Sequence, residues 1–192
     1  MADALSEAAA AARACRLCAE RLPLGPRPVL VVSETARLLI VGQAPGTKVH
    51  ASGIPWNDPS GERLRAWMGV GSEVFYDAAK VAILPMGLCY PGVLPNGGDR
   101  PPDPICAPTW HPRILPLLRS VELTLVVGTY AQARMLGKGA MTERVQGFRS
   151  FLPRYLPLPH PSWRTVGWEA RNPWFATEVL PVLRASISKL ME

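Results

Sequence analysis

No stretch of this 192-residue chain comes near the roughly 20 consecutive apolar residues that a membrane-crossing helix needs, so no membrane partner is expected. With 48 % hydrophobic and only 19 % charged residues, the chain is not of disordered composition, and its length is ample for one α/β core. The basic start of a secretory leader is missing: Met1 to Ala14 is rich in alanine and carries Asp3 and Glu7. The expected compartment is therefore the cytoplasm, where cysteines serve metals or chemistry more often than disulfides. Lysine is scarce, and nearly all the basic residues are arginine. Together 21 Lys and Arg outweigh 15 Asp and Glu, for a formal net charge of +6 and an isoelectric point near 9.5. Arginine's planar fork suits phosphates and stacks on bases, so the balance favours a polyanionic partner, nucleic acid first. Gly-x-Gly-x-x-Gly is absent, and no acidic residue is placed to read a ribose, which argues against an NAD-type redox protein.

The stretch that organises the rest is Leu38-Leu39-Ile40-Val41-Gly42-Gln43-Ala44-Pro45-Gly46. A short apolar run closed by turn residues fits a strand buried on both faces of a parallel sheet. A rigid Gly/Pro loop at its carboxyl end is where open α/β sheets bind ligands; an ordinary connection is the bland alternative. Before it, residues 5–19 have helical spacing, and Val29 to Val32 reads as extended. After it come a long loop, 43–57, and a helix that Asp58-Pro59 starts and Gly69 stops. Val81 to Met86 reads as a second strand, shortened by Pro85. A long Pro/Gly-rich loop, 87–108, is expected to be functional or tethered, with a helix over 109–119. Leu123 to Val127 is the third strand, followed by a helix over 130–136. Tyr155 to Leu158 is the fourth strand and leads directly into His160-Pro161-Ser162. Asn172-Pro173 opens a terminal helix that runs to about Leu190. Alternating strands and helices predict a single three-layer α/β/α domain over 1–192 with a mainly parallel four-stranded sheet.

The cysteines form a Cys15-x2-Cys18 pair and a Cys89-x16-Cys106 pair, the second pair lying in one loop. No cysteine is left over, and all four fall outside the expected strands, where simple packing would have put them. Four thiolates suit tetrahedral zinc or an iron–sulfur cluster.

Taken together, these pieces resemble the uracil-DNA glycosylase superfamily, in particular its branch with a four-cysteine iron–sulfur cluster. Gly42-Gln43-Ala44-Pro45-Gly46 is similar to the first motif, commonly Gly-Glu-Ala-Pro-Gly in the branch called family four. Gly53-Ile54-Pro55-Trp56 is similar to Gly-x-Pro-Phe, and His160-Pro161-Ser162 matches the second motif. The cysteines occur in the same order, so the resemblance spans residues 15 to about 164. It implies a nucleoid-associated bacterial enzyme of base excision repair that cuts uracil or another deaminated base from DNA, with a monomer as the default state. It also implies a cluster, 4Fe-4S, on Cys15, Cys18, Cys89 and Cys106, with structural zinc as the alternative.

Such chemistry expels a base as an anion while its sugar becomes cation-like, and the base must first leave the stack. Trp56 offers an aromatic face for the flipped base. Gln43, Asn57 and the backbone at Gly42 and Ala44 offer polar groups for its edge. His160 is the expected donor to the developing negative charge, with Gln43 as the second catalytic residue. Ser162 and Arg164 are candidates for phosphate contacts, and Trp163 for a wedge in the gap left by the base. A packing tryptophan and a structural histidine are the plain alternatives for Trp56 and His160. The pattern departs from the family at two places. Gln43 replaces an acidic residue and cannot act as a carboxylate. No amide stands at Leu84-Pro85-Met86-Gly87, where the family distinguishes uracil from cytosine. These departures keep open a second reading, a metal-containing nucleic-acid-binding protein with little catalysis on the same scaffold.

Overall fold

The computed structural model of the chain describes residues 3–95 and 97–192. In chain order its elements are α1 (Ala4–Arg13), β1 (Leu38–Val41), α2 (Thr47–Ser52), α3 (Pro59–Met68), α4 (Ser72–Phe75), β2 (Val81–Ile83), α5 (Cys106–Ile114), β3 (Leu123–Val127), α6 (Gly128–Leu136), α7 (Met141–Gln146), β4 (Tyr155–Leu158), α8 (Val166–Arg171) and α9 (Leu180–Met191).

All four residues of β1 are buried. Successive side chains of a strand point to opposite faces, so Leu38 and Ile40 join one hydrophobic cluster and Leu39 and Val41 the other. The first cluster is closed by Leu64, Trp67 and Met68 of α3 and by Leu183 and Ile187 of α9. The second is closed by Leu5, Ala9 and Ala12 of α1, by Trp110 and Ile114 of α5, and by Ala131 of α6. Truncating a fully buried leucine such as Leu38 or Leu64 to alanine costs about 2–5 kcal/mol. A sheet covered on both faces in this way is the three-layer α/β arrangement that the sequence predicts.

The strand order is β2-β1-β3-β4, and every pair is parallel. The chain steps from β1 outward to β2 and then returns to β3 on the other side of β1. That reversal opens a crevice beyond the carboxyl ends of the strands, where such sheets hold ligands. Both edges are protected. Val31 bridges Ile83 in antiparallel fashion, with both backbone bonds made, at 2.9 and 2.7 Å. At the far edge β4 carries Pro157, which an interior strand would not tolerate.

Several boundaries differ from the sequence expectation for identifiable reasons. α1 is capped by Asp3, whose carboxylate accepts from the Ser6 N–H at 2.7 Å, and it ends at Arg13, so Cys15 and Cys18 lie in turns beyond it. The loop over 43–57 contains α2, delimited by an extended Gly46 and a left-handed Gly53. β2 stops at Ile83, two residues before Pro85. α5 begins at Cys106 rather than Thr109 and passes at Leu115 into a tight 3-10 turn, with Pro112 inside it and Pro116 in the turn. α7 and α8 fall where loops are expected, and the terminal helix opens with a π-type turn, Phe175–Val179. Pro181, which has no N–H to give, follows that turn.

Candidate active site

The loop after β1 is held as if the sheet continued. Met86 N–H donates to the Gly42 carbonyl at 2.9 Å and Gly87 N–H to the Gln43 carbonyl at 2.8 Å. The fixed loop forms one wall of a cavity of about 530 Å³, counted out to its open mouth. Gln43 lies in this wall, and its amide Nε2 donates to the Arg100 carbonyl at 3.1 Å.

Trp56 forms the facing wall. Its backbone is left-handed, with φ of 56°, a conformation costing about 1–3 kcal/mol for a bulky residue. Three features hold it there. Its carbonyl accepts from the Tyr76 hydroxyl at 3.3 Å and from Arg65 Nη1 at 3.4 Å. Gly61 leaves room for that carbonyl, which a Cβ would meet at 1.8 Å. The ring then comes so close to Gly42 that a Cβ there would lie 2.8 Å from Trp56 Cζ2. The turn that aims the Trp56 ring inward leaves Asn57 exposed, away from the residues lining the cavity. Its neighbour Asp58 does line the cavity, and it also caps α3 by accepting from the Gly61 N–H at 2.8 Å.

His160 enters from the end of β4, its ring centroid 5.8 Å from that of Trp56. Its carbonyl accepts from Ser162 N–H at 2.8 Å and from the Thr165 hydroxyl. Arg63 of α3 pins the same turn, reaching the Ser162 carbonyl at 3.5 Å and Glu169 of α8 at 2.5 Å. Burial pushes the imidazole below its ordinary value, against the opposing pull of the Asp58 and Asp99 carboxylates. The ring is therefore neutral at pH 7 and has one N–H to give.

Asp99 is a lining residue that the sequence reading does not single out. It stands at the cavity mouth, exposed in the free protein. Desolvation nevertheless raises its carboxyl above the ordinary range; His160 and Arg164 oppose the shift and Asp58 adds to it. The only signal in the sequence is an acid after two glycines, Gly97-Gly98-Asp99, in a loop too long to be idle.

Beyond the mouth lies the turn with Ser162, Trp163 and Arg164. Trp163 is 77 % exposed, far more than packing would require, and the Arg164 guanidinium stacks over it at 5.4 Å. The other two histidines stand apart from this chemistry. His111 is buried, with its Nε2 3.0 Å from the Pro85 carbonyl, and His50 packs beside Tyr90.

A second cavity lies behind Gly87, lined by Cys15, Cys18, Cys89 and Cys106 together with Leu22 and Trp110. Leu88 N–H points at Cys106 Sγ, 3.3 Å away, and Arg21 reaches Cys18 Sγ at 3.7 Å. Burial, followed by the proximity of the other cysteines, pushes Cys89 up to about 11 and Cys106 up to about 12. Among the described residues no three His, Cys, Asp or Glu side chains stand at the spacing that holds a metal ion.

The family model for the uracil DNA glycosylase superfamily matches residues 30–184. The chain belongs to that superfamily. The match covers the whole sheet and both walls of the cavity, from Val31 at one edge to the turn after β4. Among solved structures, the chain is similar to wild-type SMUG2 from Pedobacter heparinus, at 17 % identity and a TM-score of 0.35, over 81 % of this chain and 73 % of that one.

Proposed function

We propose that this superfamily member is a monofunctional DNA glycosylase, releasing uracil or another deaminated base from DNA in base excision repair. One observation carries the reading: His160, its imidazole held neutral by burial, stands beside the Trp56 ring in a cavity that the Gly42-Gln43-Ala44 loop also lines. An aromatic face holds a flipped base, and a neutral donor is what a base leaving as an anion needs. In this reading Trp56 stacks on the base, and the free end of the Gln43 amide and the backbone N–H groups of the loop read its edge. The His160 N–H meets the oxygen that gains charge as the glycosidic bond breaks. Trp163 fills the gap in the duplex, while Arg164 and the Ser162 backbone hold the flanking phosphates.

The cysteine cavity fits a metal centre by its donors. Four thiols line one cavity, with the Leu88 N–H aimed at Cys106 Sγ and Arg21 at Cys18 Sγ, donors that would support thiolates bound to a cation. Cys15, Cys18, Cys89 and Cys106 would hold an iron–sulfur cluster, 4Fe-4S, or alternatively zinc, and either would tie the N-terminal segment to the 89–106 loop. Ordering that loop is the chemistry we assign to the centre.

The second reading, a DNA-binding protein with little catalysis, is favoured by Gln43 in the acidic position and by the missing amide after β2. Base release from oligonucleotides containing uracil, hypoxanthine or xanthine separates the two. The glycosylase leaves abasic sites without strand cleavage and loses this activity in His160→Ala, whereas salt-sensitive binding with no release of any of the three bases establishes the binding protein.

A further inference from the structure

Hydrolysis of a glycosidic bond calls for a group that takes a proton from water and balances a cation-like sugar. Gln43 can do neither, and its amide nitrogen is already committed to the Arg100 carbonyl. That bond fixes a small ribbon. Arg100 N–H donates to the Gly92 carbonyl at 2.9 Å and Arg100 Nε to the Val93 carbonyl at 3.1 Å. Val93 bridges Asp99 in antiparallel fashion, and Leu94 N–H reaches the Gly98 carbonyl at 2.8 Å. The ribbon therefore hangs from Gln43 and carries Asp99 into the cavity that Trp56 and His160 line from the other side. Across the mouth it abuts the turn after β4, since a Cβ at Gly98 would fall 2.5 Å from Arg164 Nη1.

We propose that Asp99 is the catalytic carboxylate of this protein and that Gln43 is its positioning residue. The proposal rests on the glycosylase reading above and names the group that reading leaves out. In the step, the bond between C1′ of the sugar and the base nitrogen breaks, and its electron pair leaves with the base. A water oxygen bonds to C1′ and passes its proton to the Asp99 carboxylate. The products are an abasic sugar with a hydroxyl at C1′, protonated Asp99, and a base anion that accepts a hydrogen bond from His160; Asp99 then returns its proton to solvent or to the base. Before water adds, the carboxylate charge also opposes the positive charge of the sugar.

The other acid in the cavity, Asp58, has one carboxylate oxygen committed to capping α3, whereas Asp99 stands open at the mouth until DNA covers it. The groups that face Asp99 are His160 and Arg164 from the turn after β4 and Asp58 from the start of α3. DNA over the mouth would remove water from the same acid and favour its uptake of a proton.

The test is single-turnover base release from oligonucleotides carrying uracil, hypoxanthine or xanthine across a range of pH, for the wild-type protein and for Asp99→Asn, Asp58→Asn and Gln43→Ala. Asp99→Asn is expected to slow release about 100-fold or more. It should abolish the fall in rate on the acidic side of the profile while binding to an oligonucleotide with an abasic-site analogue is kept. Gln43→Ala is expected to lose rate by a smaller factor and to keep the acidic limb, since its carboxylate is displaced rather than removed. An Asp99→Asn protein within about threefold of an active wild type, with its acidic limb intact, overturns the assignment and leaves the glycosylase reading standing. Loss of the limb in Asp58→Asn alone overturns it in favour of Asp58. A wild-type protein that releases none of the three bases refutes the glycosylase reading and this inference with it.

Discussion

The Gly42→Ala substitution tests the cavity at its tightest point. The added Cβ would lie 2.8 Å from Trp56 Cζ2 and 3.5 Å from Cη2. Carbon atoms settle at about 3.5–4.0 Å, so the ring must give way by about 0.7 Å or more. It cannot draw back through its main chain, because the Trp56 carbonyl is held by Tyr76 and Arg65 and sits in the space that Gly61 leaves empty. The relief available is a tilt of the ring within the cavity, into the space a base would occupy beside His160. Overpacking of this kind costs about 1–3 kcal/mol of stability. A displacement near 1 Å at a site of chemistry costs about 100-fold in rate, or about 2.7 kcal/mol of barrier. Base release should therefore fall by about two orders of magnitude while the protein still melts cooperatively a few degrees below wild type. Gly42→Ala protein that folds and releases base at the wild-type rate would show that the ring does not hold the base.

The pH dependence of stability follows from His111 and His160, both held below their ordinary value by burial. Below about pH 6.5 the unfolded chain takes up protons that the folded one refuses, so stability is complete above that pH and declines as pH falls toward the lower folded values, by at most about 1.4 kcal/mol per pH unit for each ring. Urea unfolding at acidic and neutral pH measures this, and a flat response contradicts it. Cys106→Ser should remove bound metal and lower the melting temperature, with iron and sulfide analysis of the wild-type protein separating a cluster from zinc; a metal-free wild type of unchanged stability refutes the centre. Arg164→Ala should weaken DNA binding nearly uniformly across sequences and reduce the salt slope by about one, whereas an unchanged slope removes Arg164 from the interface. Because Cys106 bounds the segment that carries Asp99, the losses in rate from Cys106→Ser and Asp99→Asn should overlap in the double variant rather than multiply, and independent losses would uncouple the two cavities.

What the sequence makes legible is whatever a local pattern determines. The runs Leu38–Val41 and Leu123–Val127 are apolar throughout because both faces are covered, and β4 matches its expected bounds, Tyr155–Leu158, to the residue. Asp58 and Gly69 delimit α3 by capping chemistry that can be read directly. The six-residue helices α2, α7 and α8 escape such reading because helices this short draw little on propensity. α8 is secured by the Arg63–Glu169 pair and α7 by Thr142 accepting from Trp168 Nε1, contacts with partners far away in the chain. The site divides along the same line. Gln43, Trp56 and His160 lie in recognisable motifs and do line one cavity. Asn57 is turned away by a single left-handed residue before it, which no composition signals. Asp99 reaches the cavity through a bond between residues 43 and 100 and a bridge between residues 93 and 99, and neither leaves a mark on the local sequence.

The two cavities share one wall, and that wall explains why a chain with glutamine in its first motif retains so elaborate a loop. Gly87 donates to the Gln43 carbonyl, and a Cβ on it would meet Pro102 at 2.9 Å and Ala44 at 3.3 Å. Gly87 therefore fits closely against the loop after β1 where the cysteine segment crosses behind the first cavity. From that crossing the chain runs through Cys89 to the ribbon with Asp99, passes Asp103, which is paired with Arg21 at 2.8 Å, and ends in Cys106. Among the described residues of this segment few apolar side chains are buried beyond Leu88 and Tyr90, so hydrophobic burial alone does little to fix them. Ties at both ends and one in the middle, from Gln43 to Arg100, do so instead. A glutamate at position 43 would present two acceptors to the Arg100 carbonyl and break the middle tie. The amide is therefore the side chain that this loop requires. The glutamine at position 43 and the acid at position 99 are thus tied into one ribbon, through Arg100 and the Val93–Asp99 bridge.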